Sequence, residues 1–269
     1  MVCRRGYSDI VKDFSDIVFA MKYLIILLII TSELFALVSI KPVEIGEKTG
    51  ASGGIELGLE TKRGNTHKDA YKAAIKVTYD SNASYVTWAE VSGEYGEAND
   101  VEDTNKMYVH YRYIHKLTEQ VLRYELFVQA QEDKFKALEQ RRLGGLGLRL
   151  KIFKTPIGGQ GYFGLGALYE DIKYTDPSID PDEQNTRLNT YLAYSVKFSN
   201  STFAYTLYYQ PLLEDFNDYV MTNKLELTLK MFQDLYLKVS ASYDVDSRPP
   251  NGILEKYDLT QSTTFIYKF

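Results

Sequence analysis

The sequence predicts an all-β protein, a transmembrane antiparallel up-and-down β-barrel of about twelve strands. From Gly53 onward, apolar and polar residues alternate in segment after segment, and each segment is long enough to cross a bilayer at a tilt, which takes about 9–11 residues. Short turns alternate with mostly longer and more charged loops, the pattern of outer-membrane barrels. The chain also ends in a strand with an aromatic face, Tyr257–Phe269.

The first half of the chain contains six such segments. A period of two places apolar residues on one face of a strand and polar residues on the other. In the second segment, for example, Tyr71 and Ile75 stand on the face opposite Lys72 and Lys76. The six predicted strands are Gly53–Lys62, Asp69–Tyr79, Ser84–Gly96, Asn105–His115, Gln120–Glu132 and Gln140–Phe153. Between the third and fourth, we expect an acidic loop at Glu97–Thr104.

The second half repeats the pattern. Its six predicted strands are Gln160–Tyr174, Thr186–Ser199, Thr202–Leu212, Tyr219–Phe232, Leu235–Asp246 and Tyr257–Phe269. The longest loop between them is Thr175–Asn185. An even number of strands returns the C-terminus to the side of the N-terminus, as single-chain bacterial barrels require. All 7 prolines also avoid strand interiors, where proline would remove a ladder hydrogen bond.

A water-soluble barrel or sandwich is the structural alternative. In such a fold the apolar face points inward, and strand length is not tied to a membrane. The chain holds 23 Tyr and 13 Phe but a single Trp, and many of these aromatics stand near the ends of the predicted strands. That placement is typical of the aromatic girdles of membrane barrels. We therefore favour the membrane barrel.

The N-terminus predicts export. Residues 21–36 combine a basic start, a short apolar core and small residues before a cleavage position after Ala36, which is the pattern of a secretory signal peptide. Residues 1–20 fit no targeting pattern, and we interpret them as a mis-annotated extension. Residues 37–52 are expected to form a loose periplasmic lead-in before the barrel at 53–269. These features predict the outer membrane of a Gram-negative bacterium.

The predicted inward face carries many charged residues, which makes the lumen the candidate functional site. Rings of Lys or Arg bias a pore toward anions, whereas cross-strand ion pairs fill a lumen and stabilise it. Both interpretations remain open, because twelve strands fall between filled and open barrels. The pore-lining candidates are Lys72, Lys76, Arg112, Arg123, Glu125, Arg149, Lys151, Arg187, Lys197, Lys224, Glu226, Lys230 and Lys238.

Other classes of function have weaker support. A net charge of −5 does not favour nucleic-acid binding, which needs a basic face. The histidines His67, His110 and His115 share no metal-ligand spacing, so we expect no metal site and no cofactor. A hydrolase at the outer rim, of the phospholipase or protease kind, is the alternative: His67 stands near Asp69, but no nucleophile stands in a strained turn.

The opening Gly54-Ile-Glu-Leu-Gly-Leu-Glu-Thr-Lys-Arg-Gly-Asn-Thr and the glycine-rich stretch Arg141–Leu150 resemble a known family. They are similar to the YdiY-like salt-induced outer-membrane proteins, a domain family of unknown function. The resemblance covers most of Gly53–Phe269. It implies an outer-membrane β-barrel and supplies no catalytic residues.

The predicted function is that of a non-enzymatic, monomeric outer-membrane barrel. It would pass small, in particular anionic, solutes, or maintain the envelope under osmotic stress as the family name implies. A plugged structural or adhesive barrel is the other non-enzymatic hypothesis. The expected partners are outer-membrane lipid, a small solute and the barrel-assembly machinery. The last of these would recognise the aromatic end of the closing strand, Phe265, Tyr267 and Phe269.

Overall fold

The computed structural model describes residues 43–62, 68–118, 121–251 and 256–269. The predicted extension, the signal peptide, the first part of the lead-in and His67 lie outside the described residues. Side chains at 60–62, 68 and 136 are likewise not described. In the described part of the chain, no helix is long and apolar enough to span a membrane.

Twelve strands form one closed antiparallel barrel, as the sequence predicts. Each strand pairs with its neighbour along the chain, and the last strand pairs with the first. The strands are β1 Gly50–Lys62, β2 Lys68–Asp80, β3 Tyr85–Ala98, β4 Val101–Lys116, β5 Leu122–Asp133, β6 Leu138–Lys154, β7 Gln160–Tyr174, β8 Glu183–Lys197, β9 Ser201–Pro211, β10 Tyr219–Phe232, β11 Leu235–Asp246 and β12 Tyr257–Lys268. The barrel therefore begins at Gly50, inside the segment predicted as lead-in.

The wall has its apolar face on the outside and its polar face on the inside, which is the reverse of a soluble barrel. Leu57 is 58% exposed and Leu59 is 64% exposed on the outside. In contrast, Glu125 and Glu170 are buried inside. Large apolar side chains cover the outer face of all twelve strands, which is stable in lipid and unfavourable in water. The soluble alternative is therefore wrong, and the wall spans a membrane.

One predicted loop is wrong. The acidic segment Glu97–Thr104 is mostly strand, because β3 runs to Ala98 and β4 starts at Val101. Only Asn99 and Asp100 connect them, with φ angles of 50° and 63°. Two consecutive residues with positive φ form the type I′ turn of a tight hairpin, and Asn and Asp tolerate that conformation.

The closing seam joins the two ends of the barrel. The backbone of Phe269 both donates to and accepts from the backbone of Gly53, at 3.0 Å each. Beyond this pair, β12 follows β1 from Lys268 opposite Gly54 to Thr264 opposite Gly58. A Cβ on Gly53 would lie 2.5 Å from the Phe269 ring, so the glycine makes room for the terminal aromatic.

Candidate functional site in the barrel lumen

The lumen has two walls of different chemistry. The first, which we call the arginine wall, lies on β4–β8 and consists of Arg112, Arg123, Arg141, Arg149 and Arg187 with Glu125, Glu170, Phe127, Tyr162 and Tyr191. The second, the lysine wall, lies on β1–β3, β10 and β11 and consists of Lys72, Lys76, Lys224 and Lys238 with Glu56, Glu90, Glu94 and Glu226.

The half of the arginine wall farther from the periplasm is built around one carboxylate. Glu170 is fully buried, and it accepts hydrogen bonds from Arg141 Nε at 2.8 Å and from Arg187 Nε at 2.6 Å. Arg187 also donates to Asp218 Oδ1 at 2.8 Å. Buried charges are tolerated when they are paired and hydrogen-bonded in this way. This network packs the lumen along β6, β7 and β8.

The middle of the arginine wall combines charge with aromatic rings. Arg112 Nη1 lies 3.3 Å from Glu125 Oε2, and the Tyr191 hydroxyl donates to the same oxygen at 3.0 Å. The Arg112 guanidinium also lies 4.8 Å from the Phe127 ring centre and 5.7 Å from that of Trp88. Guanidinium groups stack on aromatic faces in this manner.

The end of the predicted lead-in enters the lumen at its periplasmic end. Ile45 packs in an apolar cluster with Val86, Trp88 and Ile114. The neighbouring Glu44 carboxylate lies 2.7 Å from Lys151 Nζ and 3.4 Å from Arg123 Nη2. We call residues 43–48 the N-terminal segment. It occupies part of the periplasmic mouth.

The barrel wall holds the N-terminal segment in place through backbone hydrogen bonds. Asp80, at the end of β2, is buried and accepts from the backbone N–H of Gly46 at 2.8 Å and of Lys48 at 3.4 Å. Gly46 has a φ of +86°, a conformation that favours glycine. The segment therefore turns sharply between the lumen and β1.

The lysine wall is less buried. Lys72 lies 2.5 Å from Glu94, and their side chains are 28% and 29% exposed. Lys76 lies 3.7 Å from Glu90, with 30% and 21% exposed. The other charged side chains of this wall, on β1, β10 and β11, are 12–15% exposed. Water therefore reaches the β2–β3 part of this wall.

The structure brings most of the predicted pore-lining residues together as ion pairs. Those with a carboxylate partner in the lumen are Lys72, Lys76, Arg112, Arg123, Lys151, Arg187, Lys224 and Lys238, and Glu125 and Glu226 are among their partners. Arg149 stacks on Tyr162 instead. Lys197 and Lys230 lie exposed at the periplasmic ends of β8 and β10, where Lys197 contacts Glu47 of the N-terminal segment at 3.6 Å.

The closing strand and the histidines are placed as follows. Phe265, Tyr267 and Phe269 point outward and are about half exposed. His110 is buried in the lumen with its Nδ1 3.4 Å from Gln129 Oε1, and His115 lies 3.0 Å from the Tyr113 hydroxyl. Within the described residues, no group of three or more His, Cys, Asp or Glu side chains is placed to hold a metal ion.

Sequence reasoning missed the large aromatic and aliphatic residues of the lumen. The inward face carries the buried side chains Trp88, Tyr108, Phe127, Leu143, Tyr162, Leu168, Tyr191 and Tyr208. Their positions share the parity of the charged or polar inward-facing residues on the same strands, which is the signal that could have found them. Glycines opposite these rings provide space: a Cβ on Gly164 would lie 2.0 Å from the Tyr191 ring.

Several solved barrels are similar to this chain. The NanC porin is 17% identical, with a TM-score of 0.45, over 81% of this chain and 97% of that one. The translocator domain of the autotransporter NalP from Neisseria meningitidis is 9% identical, with a TM-score of 0.44, over 83% and 89%. The KdgM porin is 12% identical, with a TM-score of 0.40, over 81% and 96%.

The sequence comparisons identify the family. No curated protein matches the chain. A family model described as "Protein of unknown function, DUF481" matches residues 55–269, which is nearly the whole barrel. This match confirms the resemblance to YdiY-like barrels that the opening strand and the glycine-rich stretch indicate. The chain belongs to the DUF481 family of proteins of unknown function.

Proposed function

We propose that the protein is a narrow channel for small charged solutes in the outer membrane of a Gram-negative bacterium. The observation that carries the proposal is the partial exposure of the lysine wall, where Lys72, Glu94 and Lys76 are each about 30% exposed inside a closed barrel. Charged side chains that remain in contact with water inside a barrel define an aqueous path, and the charge of such a path determines its selectivity.

We further propose a weak preference for anions. The lysine wall is close to neutral because its lysines alternate with glutamates. The opposite side of the lumen is not neutral toward its periplasmic end, where Arg112, Arg123, Arg149 and Lys151 outnumber the carboxylates Glu125 and Glu44. An excess of buried positive charge lowers the energy of an anion that passes nearby.

Export and assembly belong to the same proposal. Residues 21–36 would direct the chain across the inner membrane and would be cleaved after Ala36. Phe265, Tyr267 and Phe269 would then be recognised by the barrel-assembly machinery. Replacing Phe269 with Ala should reduce the folded fraction in outer-membrane preparations, measured by heat-modifiable gel mobility. The matched change Phe232→Ala, at another exposed strand end, should leave that fraction unchanged.

We propose no enzymatic role. A hydrolase needs a nucleophile, a base and an orienting group within hydrogen-bond reach. His110 and His115 contact Gln129 and Tyr113 instead, and neither contact activates a serine. Incubation of the folded protein with phospholipid vesicles or a peptide library should therefore release no product. Turnover that His67→Ala abolishes would establish the hydrolase.

A plugged barrel is the second candidate, and the N-terminal segment favours it. Ile45 is 8% exposed in the apolar cluster of the periplasmic mouth, and Glu44 bridges toward β5 and β6. A segment held in this way narrows the lumen. In this case the barrel would serve the envelope without passing solutes.

Planar-bilayer recordings separate the two candidates. A channel should give discrete conductance steps, and a salt gradient should give a reversal potential on the anion side. Lys72→Glu should move that potential toward cations, because it replaces a cation on the exposed wall. Arg142→Glu is the matched control, since Arg142 lies exposed on the outer face of β6. The absence of conductance steps would reject the channel and leave the plugged barrel.

A further inference from the structure

One arginine of the lumen has no acidic partner among the described residues. The Arg149 side chain is 2% exposed, and its guanidinium carbon lies 3.9 Å from the centre of the Tyr162 ring. Its Nε and Nη2 atoms are buried and donate no hydrogen bond to any group in the described part of the chain. A buried charged donor without an acceptor is costly. The arrangement therefore favours an external acceptor.

A carboxylate already lies beside this arginine. Arg123 stands 5.8 Å from the same Tyr162 ring and contacts Glu44 through Nη2, while Lys151 contacts the same Glu44 oxygen. The second oxygen of Glu44 and the Nη1 atom of Arg123 are buried and make no hydrogen bond among the described residues. Two cations thus share one carboxylate, and donors of Arg123 and Arg149 remain unused.

We propose that Arg149, Arg123, Lys151 and Tyr162 form a binding site for the carboxylate group of a small solute. The planar guanidinium of Arg149 presents two donors that fit the two oxygens of a carboxylate. Glu44 is the chain's own carboxylate at this site and shows that Arg123 and Lys151 bind a carboxylate group. The inference rests on the proposed channel, which would deliver the solute to the site.

Binding at this site is coupled to the N-terminal segment. Glu44 is adjacent to Ile45, which packs against Trp88. A solute carboxylate that competes with Glu44 for Arg123 and Lys151 weakens the hold on the segment and loosens the apolar cluster. Trp88 is the only tryptophan in the chain. Its emission therefore reports this displacement without any label.

The test is a titration of the full chain, folded in detergent micelles, with succinate at constant ionic strength in sodium chloride. Succinamide, which has a similar shape but no charge, is the control solute. Succinate should bind by calorimetry and shift Trp88 emission to longer wavelength, whereas succinamide should do neither. Equal responses to the two solutes would overturn the proposal, and so would tighter binding of inorganic phosphate than of succinate.

Variants assign the binding to these residues. Arg149→Gln should weaken succinate binding by about tenfold, the loss expected for a charged hydrogen bond. Glu44→Gln should strengthen it by about tenfold, because the internal competitor is removed. The matched controls are Arg142→Gln on the outer face of β6 and Glu47→Gln at the exposed end of the N-terminal segment. Both should bind as the unchanged chain does.

The outcomes also distinguish this inference from the proposed channel. Unchanged affinity in Arg149→Gln, or in Glu44→Gln, would overturn the carboxylate site even if the barrel conducts. Succinate binding in a barrel that does not conduct would reject the channel and retain the site. If Arg149→Gln fails to fold by heat-modifiable mobility, Arg149→Lys and Glu44→Gln decide the question, since Arg149→Lys keeps the charge but loses the paired donors.

Discussion

The arginine wall and the lysine wall use similar numbers of charges in opposite ways. Arg141, Glu170 and Arg187 are each less than about one-tenth exposed, whereas Lys72 and Glu94 are about 30% exposed. The guanidinium group is weakly hydrated, planar and able to stack, so it suits a packed interior. The lysine ammonium is a compact, strongly hydrated charge that suits a wall in contact with water. One side of the barrel is therefore packed as a protein core, and the other side carries charged side chains that are partly exposed.

This difference in burial determines how much the loss of one ion-pair partner should lower the free energy of unfolding. Removing one partner of a buried pair leaves an uncompensated charge and costs about 3–5 kcal/mol. Removing one partner of an exposed pair costs about 0–1 kcal/mol, because water replaces the lost partner. Substitutions in the two walls should therefore differ severalfold in their effect on the free energy of unfolding.

The largest effect is expected for Glu170→Ala. This change leaves Arg141 and Arg187 buried and facing each other, and should lower the free energy of unfolding by about 3–5 kcal/mol. Urea unfolding of the detergent-folded protein, followed by Trp88 emission, measures the change. The control Glu139→Ala removes an exposed carboxylate of β6 and should have no measurable effect. A loss no greater than that of the control would contradict the assignment of the arginine wall as a core.

The second prediction compares two glycines. At Gly164 a Cβ would lie 2.0 Å from the Tyr191 ring, whereas at Gly93 the nearest atom is 3.8 Å away. Tyr191 is 4% exposed and its hydroxyl is held by Glu125, so it has little room to move. Gly164→Ala should destabilise the barrel by about 1–3 kcal/mol. Gly93→Ala should stay within about 0.5 kcal/mol of the unchanged chain. Equal effects in the same urea assay would show that the ring relaxes freely.

The barrel could be predicted from the sequence because alternation is a local signal. All twelve predicted strands are present in the structure. Each one shows an alternation of apolar and polar residues that can be recognised without knowing its neighbours. The error at Glu97–Thr104 has a similar local cause. The acidic composition of this segment resembles a solvated loop, but Asn99-Asp100 is a pair that forms a type I′ turn. The turn chemistry is a better guide there than the charge.

The division of the lumen could not be predicted in the same way. The sequence shows that Arg149 and Lys76 both point inward, but their burial depends on residues far along the chain. Tyr162, Tyr191 and Phe127 become a filled wall only when the barrel places β5, β6, β7 and β8 side by side. The position of Glu44 depends likewise on a segment whose composition resembles a loose linker. Such contacts follow from the closed topology rather than from periodicity.

The third prediction concerns the exposed wall. Lys72→Ala should lower the free energy of unfolding by less than about 1 kcal/mol, because the Lys72–Glu94 pair remains accessible to water. A double-mutant cycle with Glu94→Ala isolates the interaction between the two side chains. The pair Lys197–Glu47, at the rim with side chains 72% and 50% exposed, is the control and should show no coupling. A coupling energy as large as that expected for Glu170 would remove the distinction between the walls.

The smallest effect is expected outside both walls, where the partly exposed side chains of Arg248 and Asp215 meet. Hydrogen bonds from the backbone N–H of Asn217 and from the Arg248 guanidinium lower the pKa of Asp215. Because the pKa of Asp215 is lower in the folded state, its carboxylate contributes to the free energy of unfolding in full above the unfolded pKa of about 3.9. This contribution is lost as the pH falls through the folded value. Carboxyl NMR of labelled aspartate should show Asp215 titrating below that reference.

Arg248→Gln should raise the pKa of Asp215 only part of the way, since the Asn217 N–H remains. The pKa of Asp176 is lowered by hydrogen bonds from the Ser178 hydroxyl and backbone N–H, with no arginine involved, so it should not move. If Arg248→Gln raised the pKa of Asp215 all the way to its unfolded value, the guanidinium alone would account for the lowered pKa, even at a site that water reaches. The contrast between the walls would then reflect residue type rather than burial.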